Sequence, residues 1–510
     1  MATKRNIENE SKSVATIFAT VFIIAACGIF YELLISTLSS YVLGSSVLQF
    51  SLTIGLFLFF MGIGSYLSRF VRGPALDRFI AVELVIGIVG GLSVLLLSYA
   101  YAIAFTYIPI VLLLIACISI CIGLEIPLVM RVLKPLNVKE GIAQVLSFDY
   151  IGALIASVLF PLVCLPYLGI MRTAFLVGVI NLVVAGMTLR FFHKQIKSVK
   201  LLSSVWLVGM LVLVAGLVYS PQITSYFDSY TYQDHVIYSH QSPYQKIVLT
   251  KFKDDVRLYL NGSLQFSAID EARYHEALVH VPMRLVQEPK HVLILGGGDG
   301  LAAREVLKYL SVESITVVDL DPEVTTLAKE HPMLTDINKF SLLSAKVLVR
   351  NEDAFVFVQE ATSQYDVVII DLPDPSDFSV GKLYAKEFYQ SVERIIAPGG
   401  VLVTQASSPF FARRPYWMVH HTLESVFDWV DAYSLQVPSF GPWGFHVAAS
   451  RPHNSTAAPL TVSTTVLTGE LVESMFIFSK DVAEIDTDIH TLVNQRLVHE
   501  YEDSWKYFYE

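Results

Sequence analysis

VLILGGGDGLAAREVL, residues 292–307, sets an apolar β-like run against three successive glycines, an Asp-Gly pair and a helix-like run. A chain turns this way around a ligand at the end of a parallel strand, because glycine tolerates the left-handed backbone and lets a ligand approach closely. The alternation repeats in SITVVDLDPEV (314–324), SAKVLVRNEDAFVFV (344–358) and YDVVIIDLPDP (365–375). Apolar strands interleaved with helical segments predict a doubly wound, Rossmann-like parallel sheet buried on both faces. Acids recur where its ligand chemistry would collect: Asp299 follows the first strand, Asp319 ends the second, Asp353 follows the third, and Asp371 and Asp374 follow the fourth. A single acid at a strand end is more often a helix cap. Four strand ends in succession argue for a site.

Two ligand classes compete for the loop. Gly298-x-Gly300-x-x-Ala303, with Asp319 downstream, satisfies a dinucleotide fingerprint in which the acid holds the ribose. A pyrophosphate would then lie against Asp299, where like charge is unfavourable. A sulfonium bearing adenosine has no phosphate and is positive; Asp319 would hold its ribose and Asp353 the adenine edge.

Outward from this core, residues 242–283 predict two short alternating strands, a turn at Asn261-Gly262, a third strand and a helix, a small antiparallel domain. Residues 456–510 add a β-like stretch and an aromatic-rich helix ending YEDSWKYFYE. The first half has another character. The 510-residue chain is 54% hydrophobic, and apolar stretches at 14–36, 45–66, 80–103, 107–130, 145–168, 172–190 and 201–219 each approach the length that spans a bilayer. The first lacks a cleavage site and is followed at once by more spans, so it is not a signal peptide. The expected order is a multi-span α-helical membrane domain (1–220), a small β domain (230–285), a Rossmann-like domain (286–455) and a C-terminal extension (456–510). Cys27, Cys117, Cys121 and Cys164 all lie in the apolar half without a histidine cluster, so neither a disulfide framework nor a metal site is indicated.

Residues 1–220 carry 14 Lys/Arg against 8 Asp/Glu, and the remainder 22 against 38. The acidic half disfavours nucleic acid and suits cationic small molecules, although most of these charges serve solubility. In the apolar half, cations gather in alternate loops: Lys4, Arg5 and Lys12; Arg69, Arg72 and Arg78; Arg131, Lys134 and Lys139; Arg190, Lys194, Lys197 and Lys200, with Arg172 the exception. This makes the N-terminus cytoplasmic, and seven crossings would export the second half. A soluble domain using a charged cytosolic metabolite belongs inside, so the expectation leans to a cytoplasmic catalytic half with one stretch not crossing. Glu32, Glu83, Glu125 and Asp149 lie in or near spans, where acids either line a cation path or tie helices together.

The strings YQ (244–245), YHEALVHVP (274–282), GGGDGLAARE (296–305), VVDLDP (317–322), DLPDP (371–375) and LYAKEFY (383–389) resemble, in order and spacing, the spermidine synthase (polyamine aminopropyltransferase) family. With the apolar half in front, the chain looks like its bacterial membrane-anchored branch. The resemblance implies that Gln245, Asp319, Asp353 and Ala354 contact decarboxylated S-adenosylmethionine, a co-substrate rather than a resident cofactor, or its product methylthioadenosine. It implies that His275 and Asp299 face the aminopropyl arm and the amine, that Asp371 is the proton acceptor, and that Tyr274 and Asp374 line the amine pocket. The implied acceptor is putrescine or a related diamine and the other partner is the bilayer; self-association into a homo-oligomer is compatible with the sequence.

Three departures qualify the carry-over. Leu301 stands where the family usually has a second glycine, Asp377-Phe378 replaces a Gly-Pro after DLPDP, and Phe440 stands where several relatives have tyrosine. Two rival functions remain. One is an S-adenosylmethionine amine methyltransferase, disfavoured because Asp299 would repel the intact cofactor's carboxylate. The other is a polyamine transporter or sensor that binds without turnover, disfavoured by retention of the acid set.

Overall fold

The computed structural model describes residues 2–43, 46–104, 106–134, 141–232, 234–453 and 459–509; Lys139 and the expected boundary at 455/456 lie outside them. Two compact units divide the chain, residues 1–236 and 237–510.

The first unit is helical: α1 Ala2–Leu43, α2 Ser46–Leu67, α3 Ala75–Tyr99, α4 Tyr107–Leu133, α5 Gly141–Leu159, α6 Leu165–Phe191 and α7 Val199–Thr231. Among the described residues, six helical stretches are long and apolar enough to cross a membrane, against the seven expected. The difference lies in α5 and α6, which run together as a 51-residue stretch, Gly141–Phe191. A straight helix of that length would reach about 76 Å at 1.5 Å per residue, more than twice a hydrocarbon core of about 30 Å. The backbone breaks at Gly169 (φ +72°, ψ 174°), between the stretches read as the fifth and sixth spans. Within the unit α1 packs on α5, α3 on α4 and α6, and α2 on α4. Buried Asp77 caps the start of α7 by accepting the Lys197 and Ser198 amides, the latter at 2.8 Å.

The second unit carries two sheets. β1 His235–Gln241, β2 Lys246–Phe252, β3 Asp255–Leu260 and β4 Ser263–Ser267 form a four-stranded sheet in sequential order, one strand more than the sequence pattern suggested. Asn261 (φ +49°) and Gly262 (φ +85°) supply the two left-handed residues that a tight β3–β4 hairpin needs. Helix α8, Glu271–Met283, leads into the larger sheet. Its strands are β5 His291–Gly296, β6 Ser314–Asp319, β7 Val347–Asn351, β8 Tyr365–Asp371, β9 Ile396–Gln405, β10 Trp429–Val437 and β11 Gly441–Ala449. They lie in the order β10-β11-β9-β8-β5-β6-β7. The run from β7 to β9 is parallel, and β10 and β11 close one edge antiparallel. Val292 and Ile294 of β5 enter the core on one face of the sheet, Leu293 and Leu295 the core on the other, which explains the unbroken apolar run. Strand order reverses between β5 and β8, and a ligand crevice forms outside the carboxyl ends of strands at such a switch.

The β-like stretch expected in the tail is corrected: residues 459–509 contain no strand. The β-branched string around Thr465–Leu467 gives its amides to the buried Glu276 carboxylate, with Val466 and Leu467 at 2.9 Å, so those donors are taken by a side chain instead of a ladder.

Candidate active site

The glycine loop brings the β5, β6 and β8 ends together. A Cβ on Gly296 would lie 2.0 Å from the Asp371 carbonyl, and one on Gly298 would lie 2.4 Å from Asp319 Oδ2. Only glycine lets β5 end this close to both acids. The Gly297 amide donates to the Asp371 carbonyl at 3.1 Å, and the Gly298 amide to Asp319 Oδ2 at 3.0 Å. Asp299 turns its Oδ1 back to the Leu301 amide at 2.8 Å. Leu301, the first departure, is buried against Ile247 and Leu249 of the small sheet.

Asp319 also accepts the Asp321 amide at 2.9 Å; burial nevertheless lifts its carboxyl to about 6. Gln245 reaches the same corner through Asp321, whose Oδ2 accepts from the Gln245 side-chain Nε2 at 3.0 Å and from the Ser242 hydroxyl at 2.6 Å. Asp353 is indeed a cap, accepting the Phe355 amide at 2.8 Å at the start of helix Ala354–Glu360, and it also pairs with Lys382 at 2.6 Å. Ala354 is the buried first residue of that helix.

Asp371 Oδ1 accepts the Tyr274 hydroxyl at 2.7 Å. Burial raises the Asp371 carboxyl to about 6; His275 and the Tyr274 bond oppose the rise and Asp299 adds to it. His275, on α8, donates from Nδ1 to Glu271 at 2.9 Å, and Arg304 grips the same carboxylate through both terminal nitrogens at 2.8 Å. Burial alone would push the imidazole down, but Glu271, with Asp299 and Asp371 nearby, lifts it to about 9. Burial would raise Glu271, yet His275 and Arg304 bring it to about 2. The site thus holds one fixed imidazolium beside several half-buried acids.

Asp374 accepts from the Gln405 side-chain Nε2 at 3.2 Å, the Ser407 hydroxyl at 3.2 Å and the Tyr501 hydroxyl at 2.7 Å, while burial raises its carboxyl. Ser407 adopts φ +64° and is held by Gln405 and the Gly444 amide. Tyr274, Phe440 and Trp443 form an aromatic wall, with ring centroids 6.1 Å and 5.0 Å apart along the series. Among the described residues the buried Trp443 indole N–H has no partner. Asp377, part of the second departure, caps the short helix Phe378–Gly381, and Phe378 packs 5.6 Å from His499 of the C-terminal helix Arg496–Tyr509.

All nine expected positions therefore lie around the carboxyl ends of β5, β6, β7 and β8 or on segments bonded to them. Pattern reading missed Asp321, Gln405, Ser407, Lys382, the Glu271–Arg304 support of His275, and Tyr501. Only the second acid of VVDLDP offered a local signal. The arrangement suits a ligand with several positive centres: the carboxyls of Asp299, Asp319, Asp371 and Asp374, raised by burial, favour cations that restore their charged form.

Residues 271–458 match the spermine/spermidine synthase domain. The polyamine aminopropyltransferase of Leptospira interrogans serogroup Icterohaemorrhagiae serovar copenhageni (strain Fiocruz L1-130) is 43% identical over 491 residues, covering 96% of this chain and 98% of its own. Polyamine aminopropyltransferase 2 of Ralstonia nicotianae is 43% identical over 502 residues, with 96% and 98% covered. A solved spermidine synthase in complex with the transition state analogue AdoDATO is 28% identical, covering 48% of this chain and 86% of its own, with a TM-score of 0.46. On the strength of full-length identity to these relatives, the chain belongs to the polyamine aminopropyltransferases of the spermidine synthase type, enzymes whose co-substrate is decarboxylated S-adenosylmethionine.

Proposed function

We propose that the chain is a membrane-anchored aminopropyltransferase that makes spermidine and methylthioadenosine from putrescine and decarboxylated S-adenosylmethionine. The observation that carries the choice of a diamine is the pair at the end of β8. Asp371 and Asp374 are three residues apart, each bonded to its own tyrosine hydroxyl. Two carboxylates beside an aromatic wall suit a short chain charged at both ends, one acid anchoring the distal ammonium and the other serving the reacting end.

In this reading Asp371 takes a proton from the reacting ammonium. The freed nitrogen lone pair then attacks the aminopropyl methylene in line. The carbon–sulfur bond breaks, and its electron pair stays on sulfur as methylthioadenosine leaves. A carboxyl lifted to about 6 is a stronger base than an exposed aspartate yet remains ionised at neutral pH. Tyr274 orients that carboxylate, Asp374 and the aromatic wall hold the far amine, and His275 and Asp299 flank the aminopropyl arm. Gln245, Asp319, Asp353 and Ala354 hold the adenosyl end; Lys382 must release Asp353 for the adenine edge to bind there. Phe440 carries no hydroxyl, so the amine pocket is less polar there than a tyrosine would make it.

Six long apolar helical stretches among the described residues support insertion in the bacterial inner membrane. With a cytoplasmic N-terminus, an even number of crossings keeps the catalytic unit in the cytoplasm, so its side depends on whether both halves of 141–191 cross; we favour the cytoplasm because the co-substrate is made there. The test of function is turnover by purified full-length protein, comparing putrescine with longer diamines and decarboxylated with intact S-adenosylmethionine. Preference for a longer amine would overturn the acceptor, and methyl transfer from the intact compound would overturn the reaction.

A further inference from the structure

Among the described residues three side chains donate to the Asp374 carboxylate: Gln405 to Oδ1, Ser407 and Tyr501 to Oδ2. Gln405 ends β9 and Ser407 follows it, both inside the matched domain, which stops at residue 458. Tyr501 comes from beyond it, on the C-terminal helix. Its bond is the shortest of the three, 2.7 Å against 3.2 Å for each of the others, a length typical of a hydroxyl donating to a charged carboxylate. An ionised carboxylate offers about four lone-pair directions, so with three donors in place about one is left for a ligand.

The helix that carries Tyr501 is docked by other groups. Leu497 and Val498 are buried. Val498 lies against Gly381, where a Cβ would come 2.5 Å from its Cγ2. Just ahead of the helix, buried His490 donates from Nε2 to the Gly381 carbonyl at 2.8 Å, and its own carbonyl accepts the Lys386 amide at 3.0 Å. None of these contacts involves the Tyr501 hydroxyl, so the hydroxyl acts on Asp374 and does not serve to hold the helix.

Burial raises the Asp374 carboxyl, and of the three bonds that oppose the rise the one from Tyr501 is the strongest. The other titratable groups that feel Asp374 are Tyr274 on α8 and Tyr384, both of which also feel Asp371 on the same strand end. Burial lifts both tyrosine hydroxyls well above their ordinary value, so neither is charged at neutral pH. A neutral donor that favours the carboxylate is what an arriving ammonium requires.

We infer that Tyr501 is a positioning residue for the acceptor: from the C-terminal helix its hydroxyl holds the Asp374 carboxylate turned so that the remaining lone pair meets the distal ammonium of the diamine. The inference rests on the amine role proposed for Asp374. It makes the C-terminal segment part of the acceptor site although the segment lies outside the matched domain.

The test is the putrescine KM of the full chain in detergent or nanodiscs, at saturating co-substrate, followed from pH 8 to pH 6. In Tyr501→Phe the amine KM should rise, and its ratio to wild type should widen about three- to tenfold over that range, because Asp374 without the hydroxyl takes up its proton at higher pH. Asp371, at about 6, titrates in the same window but does so in both enzymes, so it leaves the ratio unmoved. Arg414→Gln breaks the surface pair of the same helix, Arg414 with Glu500 at 3.0 Å, and should leave the amine KM within about twofold. A Tyr501→Phe ratio that stays flat with pH, or an equal rise in Arg414→Gln, would overturn the inference and reduce Tyr501 to packing. Asp374→Asn separates the two readings. An amine KM unmoved in Asp374→Asn refutes the amine role of Asp374, whereas a rise there with none in Tyr501→Phe refutes this inference alone.

Discussion

Replacing Asp371 with asparagine should stop catalysis and stabilise the unliganded enzyme, and the size of the second effect follows from the site. Burial lifts the Asp371 carboxyl from 3.8 to about 6. Two units correspond to about 3 kcal/mol at roughly 1.4 kcal/mol per unit, an upper figure because local relaxation lowers it. The folded state holds the proton more tightly than the unfolded chain, so stability falls as pH rises from 3.8 to 6, and the full penalty is present above that. Asparagine keeps an acceptor for the Tyr274 hydroxyl but carries no charge to desolvate. At pH 8 the variant should gain about 1–3 kcal/mol, which at roughly 2–4 °C per kcal/mol raises the melting point of the second unit by several degrees. The maximal rate should fall about 10²–10⁴-fold with co-substrate affinity kept. Melting curves at pH 8 and 5.5, with kinetics on the same preparations, read both effects. A variant that melts at or below the wild type at pH 8, or a gap that does not shrink at pH 5.5, would refute the reasoning.

Three further outcomes follow from the same geometry. Because Asp371 and Asp319 both sit near 6, kcat/KM should fall as pH drops below about 6, and a flat profile down to pH 5 would contradict their burial. Tyr501→Phe removes a 2.7 Å bond to Asp374 and should raise the amine KM about 5–100-fold with little change for the co-substrate; an unmoved amine KM would detach the C-terminal helix from the amine site. Asp319→Asn should raise the co-substrate Kd with kcat largely kept, and Asp321→Ala should do the same more weakly by releasing Gln245. Calorimetric titration with methylthioadenosine measures both, and unchanged affinity in Asp321→Ala would deny Gln245 a role.

The parallel sheet was readable from VLILGGGDGLAAREVL because strand burial and glycine geometry are local properties, and the strand-end acids were readable because each follows its own strand directly. Their partners were not. Tyr501 meets Asp374 across 127 positions, and Gln245 meets Asp321 across 76, distances over which no periodicity carries information. The tail string around Thr465 carries β-branched residues and still forms no strand, because a buried carboxylate from α8 takes its amides. Asp353 is a helix cap that also pairs with Lys382, a pairing across 29 positions that the sequence does not show. In the apolar half, hydropathy marked the stretches but not the Gly169 break that divides 141–191, nor the meeting of Glu83 with Asn181.

The most direct measurement is steady-state turnover of decarboxylated S-adenosylmethionine and putrescine by the purified full-length chain, with both products quantified. The account predicts equimolar spermidine and methylthioadenosine, and near-complete loss of both in Asp371→Asn. Methylated amine from intact S-adenosylmethionine, or full activity in Asp371→Asn, would contradict it.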